Sequence, residues 1–154
     1  MADPRFAADC NVARLARWLR ALGYDAEYHH RVGDAQLVGL AQASGRVILT
    51  RDRDLTHRRA VASGAVRAVL LRDDRVTEQL RQVVGELGLS SDLALTRCLE
   101  CNVELERRPA AAVADRVPPH VRATQRRFSE CPGCSRVYWP GTHWDGMRAR
   151  LAAL

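Results

Sequence analysis

The sequence predicts an α/β chain: a mainly parallel sheet flanked by helices, followed by a small module built on four cysteines. Two observations carry this expectation. Up to about residue 90, short β-branched apolar runs alternate with amphipathic helical stretches, and such alternation builds a parallel sheet with right-handed crossovers. Beyond that point the rhythm stops and two C-x-x-C pairs appear, Cys98 with Cys101 and Cys131 with Cys134. We therefore expect one domain over residues 1–90 and a second over 91–154, the latter with a long loop between its knuckles and a short helix from Asp145 to Leu154.

Taken in order, Arg5 to Ala8 reads as a strand that delivers Asp9. Asn11 is placed to cap a helix running through Leu22 and ended by Gly23. Val12, Leu15, Ala16, Leu19 and Leu22 share one face of that helix, and Arg14, Arg17 and Arg20 are expected on the other. Asp25 to His29 makes a second strand. Asp34 opens a second helix to about Ser44, where Gly45 stops it. The run Val47-Ile48-Leu49-Thr50 is a buried strand, followed at once by Arg51-Asp52-Arg53-Asp54. A third helix is expected from Leu55 to Ser63, a strand from Arg67 to Leu71, and a fourth helix from Val76 to Leu87. In the cysteine module, Arg126 to Ser129 and Arg136 to Trp139 flank C-P-G-C as a hairpin.

Composition narrows the class. Hydrophobic residues make up 47% of the 154 and charged residues 27%, enough apolar surface for a core and no case for disorder. The net charge of +6 favours an anionic partner such as nucleic acid. All the basic residues other than histidine are arginines, and the abundance of Ala, Arg, Val and Leu resembles the coding bias of a GC-rich genome, so some of these arginines are plain solvated surface. The charged opening and the absence of any long apolar run lead us to expect a cytoplasmic protein without a membrane span.

Cysteines are kept reduced in that compartment, so paired C-x-x-C motifs argue for metal ligation rather than disulfides. Each motif sets two thiolates on one side of a tight turn, and two such knuckles complete a tetrahedron around Zn²⁺. Rubredoxin-like iron and a redox dithiol are the other readings. His143 lies outside a sphere that four cysteines already fill, and Cys10 is expected to be a core residue.

The catalytic reading rests on where carboxylates fall. Asp9 and Asp52 each follow the C-terminal end of an expected parallel strand, where open α/β sheets hold their ligands. Asp54 lies two residues on, and Asp34 stands at a helix start. Such a cluster is costly without cations, and hard oxygen donors suit Mg²⁺ or Mn²⁺. Arg14, Arg17, Arg51 and Arg53 are near the same strand ends in sequence and can receive phosphates by bidentate hydrogen bonds. The plainer readings stand beside these: Asp34 as a helix cap, Asp52 and Asp54 as turn residues. Asp73 is not excluded from the site by periodicity.

Asp9 with R-L-A-R-W-L-R-A-L-G-Y-D, then Asp34, then R-V-I-L-T-R-D-R-D-L resembles a PIN-like ribonuclease domain. R-C-L-E-C-N followed by F-S-E-C-P-G-C-S-R-V-Y-W-P-G-T-H-W sharpens the match to the family named for the RNase domain at the C-terminus of the Mut-seven exonuclease, a PIN-like fold bearing a zinc ribbon. The resemblance implies that Asp9, Asp34, Asp52 and Asp54 form an acidic Mg²⁺ or Mn²⁺ site for cutting RNA, with zinc on the four ribbon cysteines. PIN-like proteins also include toxins held by antitoxins, so a toxin with an antitoxin partner is one alternative. A non-catalytic RNA-binding module using Phe128, Tyr138, Trp139 and Trp144 is another, although such aromatics more commonly pack the ribbon itself. The oligomeric state is not legible.

Overall fold

A computed structural model describes residues 2–154. Its first sheet has four parallel strands: β1 (Phe6–Ala8), β2 (Ala26–Tyr28), β3 (Val47–Thr50) and β4 (Ala68–Leu70), in spatial order β2-β1-β3-β4. The connecting helices are α1 (Ala13–Ala21), α2 (Asp34–Ser44), the short α3 (Arg53–Thr56) and α4 (Arg59–Ala62), and α5 (Val76–Leu87). The mixed α/β class and parallel sheet are as expected. No helix among the described residues is long and apolar enough to cross a membrane.

Strand alternation splits the core in two. Phe6, Ala8, Val47 and Leu49 face one side, packed against Leu15 and Leu19 of α1 and Leu80 and Val83 of α5. Ala7 and Ile48 face the other, against Leu37, Val38 and Ala41 of α2 and Leu55 of α3. With helices on both faces the strands need apolar residues at successive positions, which is why V-I-L-T shows no polar alternation. Each fully buried Leu or Ile contributes about 1.5–3 kcal/mol relative to exposure.

Several local expectations change. Asn11 does not cap α1: the N-cap is Val12, with no side-chain cap bond, because the Val12 N–H turns back to the Asp9 carbonyl at 3.1 Å. Arg20 does not project to solvent; it is 8% exposed, covered by the first cysteine knuckle. The third helix is two short pieces, since Arg58 takes an extended backbone and the run Thr56 to Arg59 has no apolar residue to hold a continuous helix on the core. Cys10 is exposed rather than core, because β1 has ended and the chain is turning into α1.

Gly23 closes α1 with φ +92, and the Gly23 and Tyr24 N–H groups donate to the Arg20 and Leu19 carbonyls, a Schellman ending. A Cβ at this glycine would meet Ala94 and Thr96 at 3.2 Å. The close approach lets the Ala94 and Leu95 N–H groups donate to the Ala21 carbonyl, laying the segment that leads to the first knuckle along the end of α1.

The second sheet is antiparallel, β5 (Glu106–Arg108), β6 (Phe128–Glu130) and β7 (Val137–Tyr138) in order β5-β6-β7. The β6-β7 hairpin around C-P-G-C was expected; β5 was not, because Glu-Arg-Arg on an exposed edge has no apolar signature. The expected long loop between the knuckles instead holds α6 (Ala110–Val113), a 3-10 turn (Ala114–Arg116) and α7 (Pro119–Thr124). Val113, Val117 and Val121, spaced by four, bury against Phe128. The last helix, α8 (Thr142–Ala152), starts three residues before Asp145 and returns Leu151 to the first core.

Arg46 and Asp25, just ahead of β3 and β2, form a largely buried ion pair at 2.7 and 3.0 Å, with Glu27 adding a contact at 2.9 Å. Burial pushes the Asp25 carboxyl up, yet hydrogen bonds from Arg46 and Asn102 outweigh it and hold the group below its usual value. We expect Asp25→Ala to cost about 2–3 kcal/mol in urea unfolding, because it leaves a buried guanidinium short of a partner. A depressed carboxyl stabilises fully above the unfolded value of about 4 and loses that contribution as pH falls through the lower folded value. The acid limb of the stability curve should therefore be shallower in the variant.

Candidate active site and metal centre

The order β2-β1-β3 creates a switch point: α1 carries the chain from β1 to one side, and β3 returns on the other. The crevice at the C-terminal ends of β1 and β3 is where such sheets bind ligands. Asp9 extends the β1 ladder into it, its N–H donating to the Leu49 carbonyl at 2.9 Å. The carboxylate is 5% exposed and held from two sides. The Thr50 hydroxyl donates to Oδ2 at 2.8 Å and the Cys10 N–H to Oδ1 at 2.7 Å.

Thr50 also accepts the Asp52 N–H at 3.0 Å, so one buried hydroxyl ties the two acidic strand ends together. Asp52 is the N-cap of α3, its Oδ1 accepting the Asp54 N–H at 2.9 Å. The turn reading of Asp52 is therefore correct for one of its oxygens. Asp54 is exposed and joins the group through its backbone. Asp34 is not a cap: Gly33 occupies that position and Asp34 is the first residue of α2. Partial burial raises the Asp34 carboxyl above its usual range, and Asp52 and Asp9 raise it further, while Arg58 offsets part of this. Asp34, at the start of α2, thus lies close enough to Asp52 and Asp9 to feel their charge. Asp73 lies apart, both of its oxygens taken by Arg75.

Of the four arginines expected to face phosphate, Arg14, Arg51 and Arg53 are exposed, and none is in a salt bridge among the described residues. Arg17 sits elsewhere, paired with Glu100 on the first cysteine knuckle. Thr50 and Arg58 were not singled out from sequence. A hydroxyl closing an otherwise apolar strand was a usable signal for Thr50; nothing local marked Arg58.

The four cysteines form one tight group, every Sγ within 4.8 Å of the others, and no comparable group of His, Cys, Asp or Glu exists among the described residues. The Cys98 and Cys134 sulfurs are 3.7 Å apart, too far for a disulfide. They match the edge of a tetrahedron with Zn–S bonds of about 2.3 Å, which is ~3.8 Å. The Cys101 N–H donates to Cys98 Sγ at 3.3 Å, and the Gly133 and Cys134 N–H groups donate to Cys131 Sγ at 3.3 and 3.4 Å. The Tyr138 hydroxyl accepts the Leu99 N–H at 3.1 Å, which leaves its own proton for Cys98 Sγ at 3.2 Å. Donors aimed at sulfur stabilise thiolate. Burial pushes the Cys98 thiol up, but the bonds from Tyr138 and the Cys101 N–H bring it below its ordinary value. The Cys101 thiol is pushed up to about 12, chiefly by its hydrogen bond with Cys134. Thiols this close cannot all ionise without a cation, so the donor set fits a divalent soft metal.

The knuckle is fastened to the first sheet. Arg20 donates from Nε to the Ala26 carbonyl at 2.8 Å and from one terminal nitrogen to the Leu99 and Glu100 carbonyls at 2.9 and 3.1 Å. Asn102 accepts the Ala26 N–H at 2.9 Å and donates to Asp25 at 2.7 Å. This is why Arg20 is buried.

A family model described as Mut7-C RNAse domain matches residues 4–151. No curated protein matches the chain, and no solved structure does.

Proposed function

Because the chain belongs to the Mut7-C RNAse domain family, we propose that it hydrolyses RNA phosphodiester bonds at a divalent-metal site formed by Asp9, Asp34 and Asp52, with Asp54 at its rim. The reading is supported by one observation: at the C-terminal ends of the adjacent strands β1 and β3, the Thr50 hydroxyl donates to Asp9 Oδ2 and accepts the Asp52 N–H, which sets two acids at one crevice, with the Asp34 carboxyl close enough to be raised by their charge. Carboxylates gathered at one crevice suit a hard cation.

These three aspartates would hold Mg²⁺ or Mn²⁺, which when bound supplies Lewis acidity and lowers the pKa of an attacking water. Thr50 and the Cys10 N–H fix the Asp9 carboxylate so that it need not reorganise. Arg14, Arg51 and Arg53 bind the phosphates on either side of the cut. Zinc on Cys98, Cys101, Cys131 and Cys134 is structural, since four protein ligands leave no open position.

The test is cleavage of end-labelled single-stranded and structured RNA by the zinc-loaded protein with Mn²⁺, Mg²⁺ or EDTA. Cutting that requires an added divalent ion is expected. Cutting that persists in EDTA, or RNA binding with no cutting in either ion, would remove the metal-hydrolase reading and favour a binding module.

A further inference from the structure

A second feature lies on the ribbon, away from the aspartates. Helix α1 begins beside Asp9 and ends at the first knuckle, so about 14 Å of helix separates the two places. There the segment 94–96, β5, β6, β7 and α8 enclose a cavity of about 390 Å³. That volume is in the range that receives a small organic ligand.

The lining has a consistent chemistry. Arg107, Arg127 and Arg148 contribute three guanidinium groups, and no lining residue is acidic. None of the three is in a salt bridge among the described residues, whereas Arg108 and Arg116 of the same ribbon are both paired with Glu130. Phe128 and Trp139 pack on one another at 6.3 Å, and Trp144 carries Arg148 at 6.0 Å from its ring centre. Trp144 Nε1 is buried and has no hydrogen-bond partner. That nitrogen is closed to solvent, so Trp144 meets the cavity with its other atoms.

We propose that this cavity binds a nucleotide of single-stranded RNA, with the base against the aromatic lining at Trp144 and phosphates on Arg107, Arg127 and Arg148. Aromatic faces with unpaired arginines are the recognition chemistry of unstacked bases and their backbone. An acidic peptide would use the arginines but gain nothing from a planar aromatic wall. The proposal rests on RNA being the substrate in the reading above and adds a binding site for it remote from the cut.

The test uses the full zinc-loaded chain carrying Asp9→Asn, so that RNA is not consumed, and a fluorescein-labelled decamer of mixed uridine and adenosine. Arg107→Gln/Arg127→Gln is expected to weaken binding about tenfold or more and to lower the salt slope by about 1.4, at ~0.7 for each phosphate no longer neutralised. Arg5→Gln/Arg67→Gln, which removes equal charge from the chain just ahead of β1 and β4, should change affinity less than twofold. The decamer should quench tryptophan fluorescence, and Trp144→Phe should abolish most of the quench.

Equal weakening by both arginine pairs would overturn the site as a mere charge effect. So would unchanged affinity in the cavity variants, or a decamer of glutamate binding there in place of RNA. If the wild-type protein fails to cut RNA while the cavity dependence persists, the hydrolase reading falls and the RNA site stands. If it cuts RNA and the cavity variants bind normally, the converse holds.

Discussion

Asp9→Asn is expected to lower metal-dependent RNA cleavage by at least about a thousandfold while leaving the protein as stable as before or more so. Asparagine has the shape of aspartate and can still accept one of the two hydrogen bonds that hold the carboxylate, from Thr50 or from the Cys10 N–H. What disappears is a negative charge that is 5% exposed and balanced only by neutral donors. In the absence of a metal, burying that charge opposes folding, and the neighbouring Asp34 and Asp52 repel it. A residue kept for folding would lose stability on this change. A residue kept for binding a cation loses activity and gains stability. Single-turnover cleavage with Mn²⁺ and thermal melting in EDTA separate the two. Wild-type cleavage in a folded, zinc-loaded Asp9→Asn protein would move the active site elsewhere, and a large fall in melting temperature would make Asp9 a structural residue.

Loss of the ribbon metal is the second large effect. Cys98→Ser, or a chelator strong enough to strip the site, is expected to destabilise the chain by on the order of 5 kcal/mol or more. The ribbon has little core apart from Val113, Val117, Val121 and Phe128. Without a cation, four thiols within 4.8 Å must hold their protons or repel one another. The damage should also pass into the first sheet. Arg20 and Asn102 hold their positions by bonding to the knuckle, and losing that partner leaves a guanidinium 8% exposed with two carbonyls gone. Readouts are metal content per chain and the thermal melt of the chain. Cys10→Ser, at an exposed thiol, is the matched control and should change neither. Adding Mg²⁺ back after chelation distinguishes ribbon loss from loss of the catalytic ion, since Mg²⁺ has no affinity for a thiolate site. Full metal content and an unchanged melt in Cys98→Ser would show that these cysteines do not hold a structural ion.

Much of the fold was legible in the chain. The parallel sheet could be read because strands buried on both faces must be apolar at consecutive positions, as in Val47 to Leu49, whatever their neighbours are. The α5 helix was legible to the residue, with Val76 and Gly88 marking its ends. The hairpin around C-P-G-C followed from its turn chemistry. Elements whose residues are held by partners distant in sequence were not legible. β5 is charged throughout and exists because β6 offers it a ladder. The helices between the knuckles bury a stripe of valines spaced by four, a signal present in the sequence and obscured by Pro109, Pro118 and Pro119.

For the sites the division is sharper. The four cysteines could be grouped from sequence alone, because two short C-x-x-C turns present sulfurs in pairs by local geometry and two such pairs make a four-ligand metal site. Asp9 and Asp52 could be placed at strand ends for the same local reason. Tertiary structure decided the rest. It turned Arg20 inward and sent Arg17 to the ribbon, because the helix end on which they lie is covered by a knuckle some 80 residues later. It freed Asp34 from the cap position and set it near Asp52 and Asp9, and it placed Thr50 between the two acidic strands. Charge repulsion and burial are properties of separation in space, and separation in space between distant residues is fixed by packing rather than by any one segment of the chain.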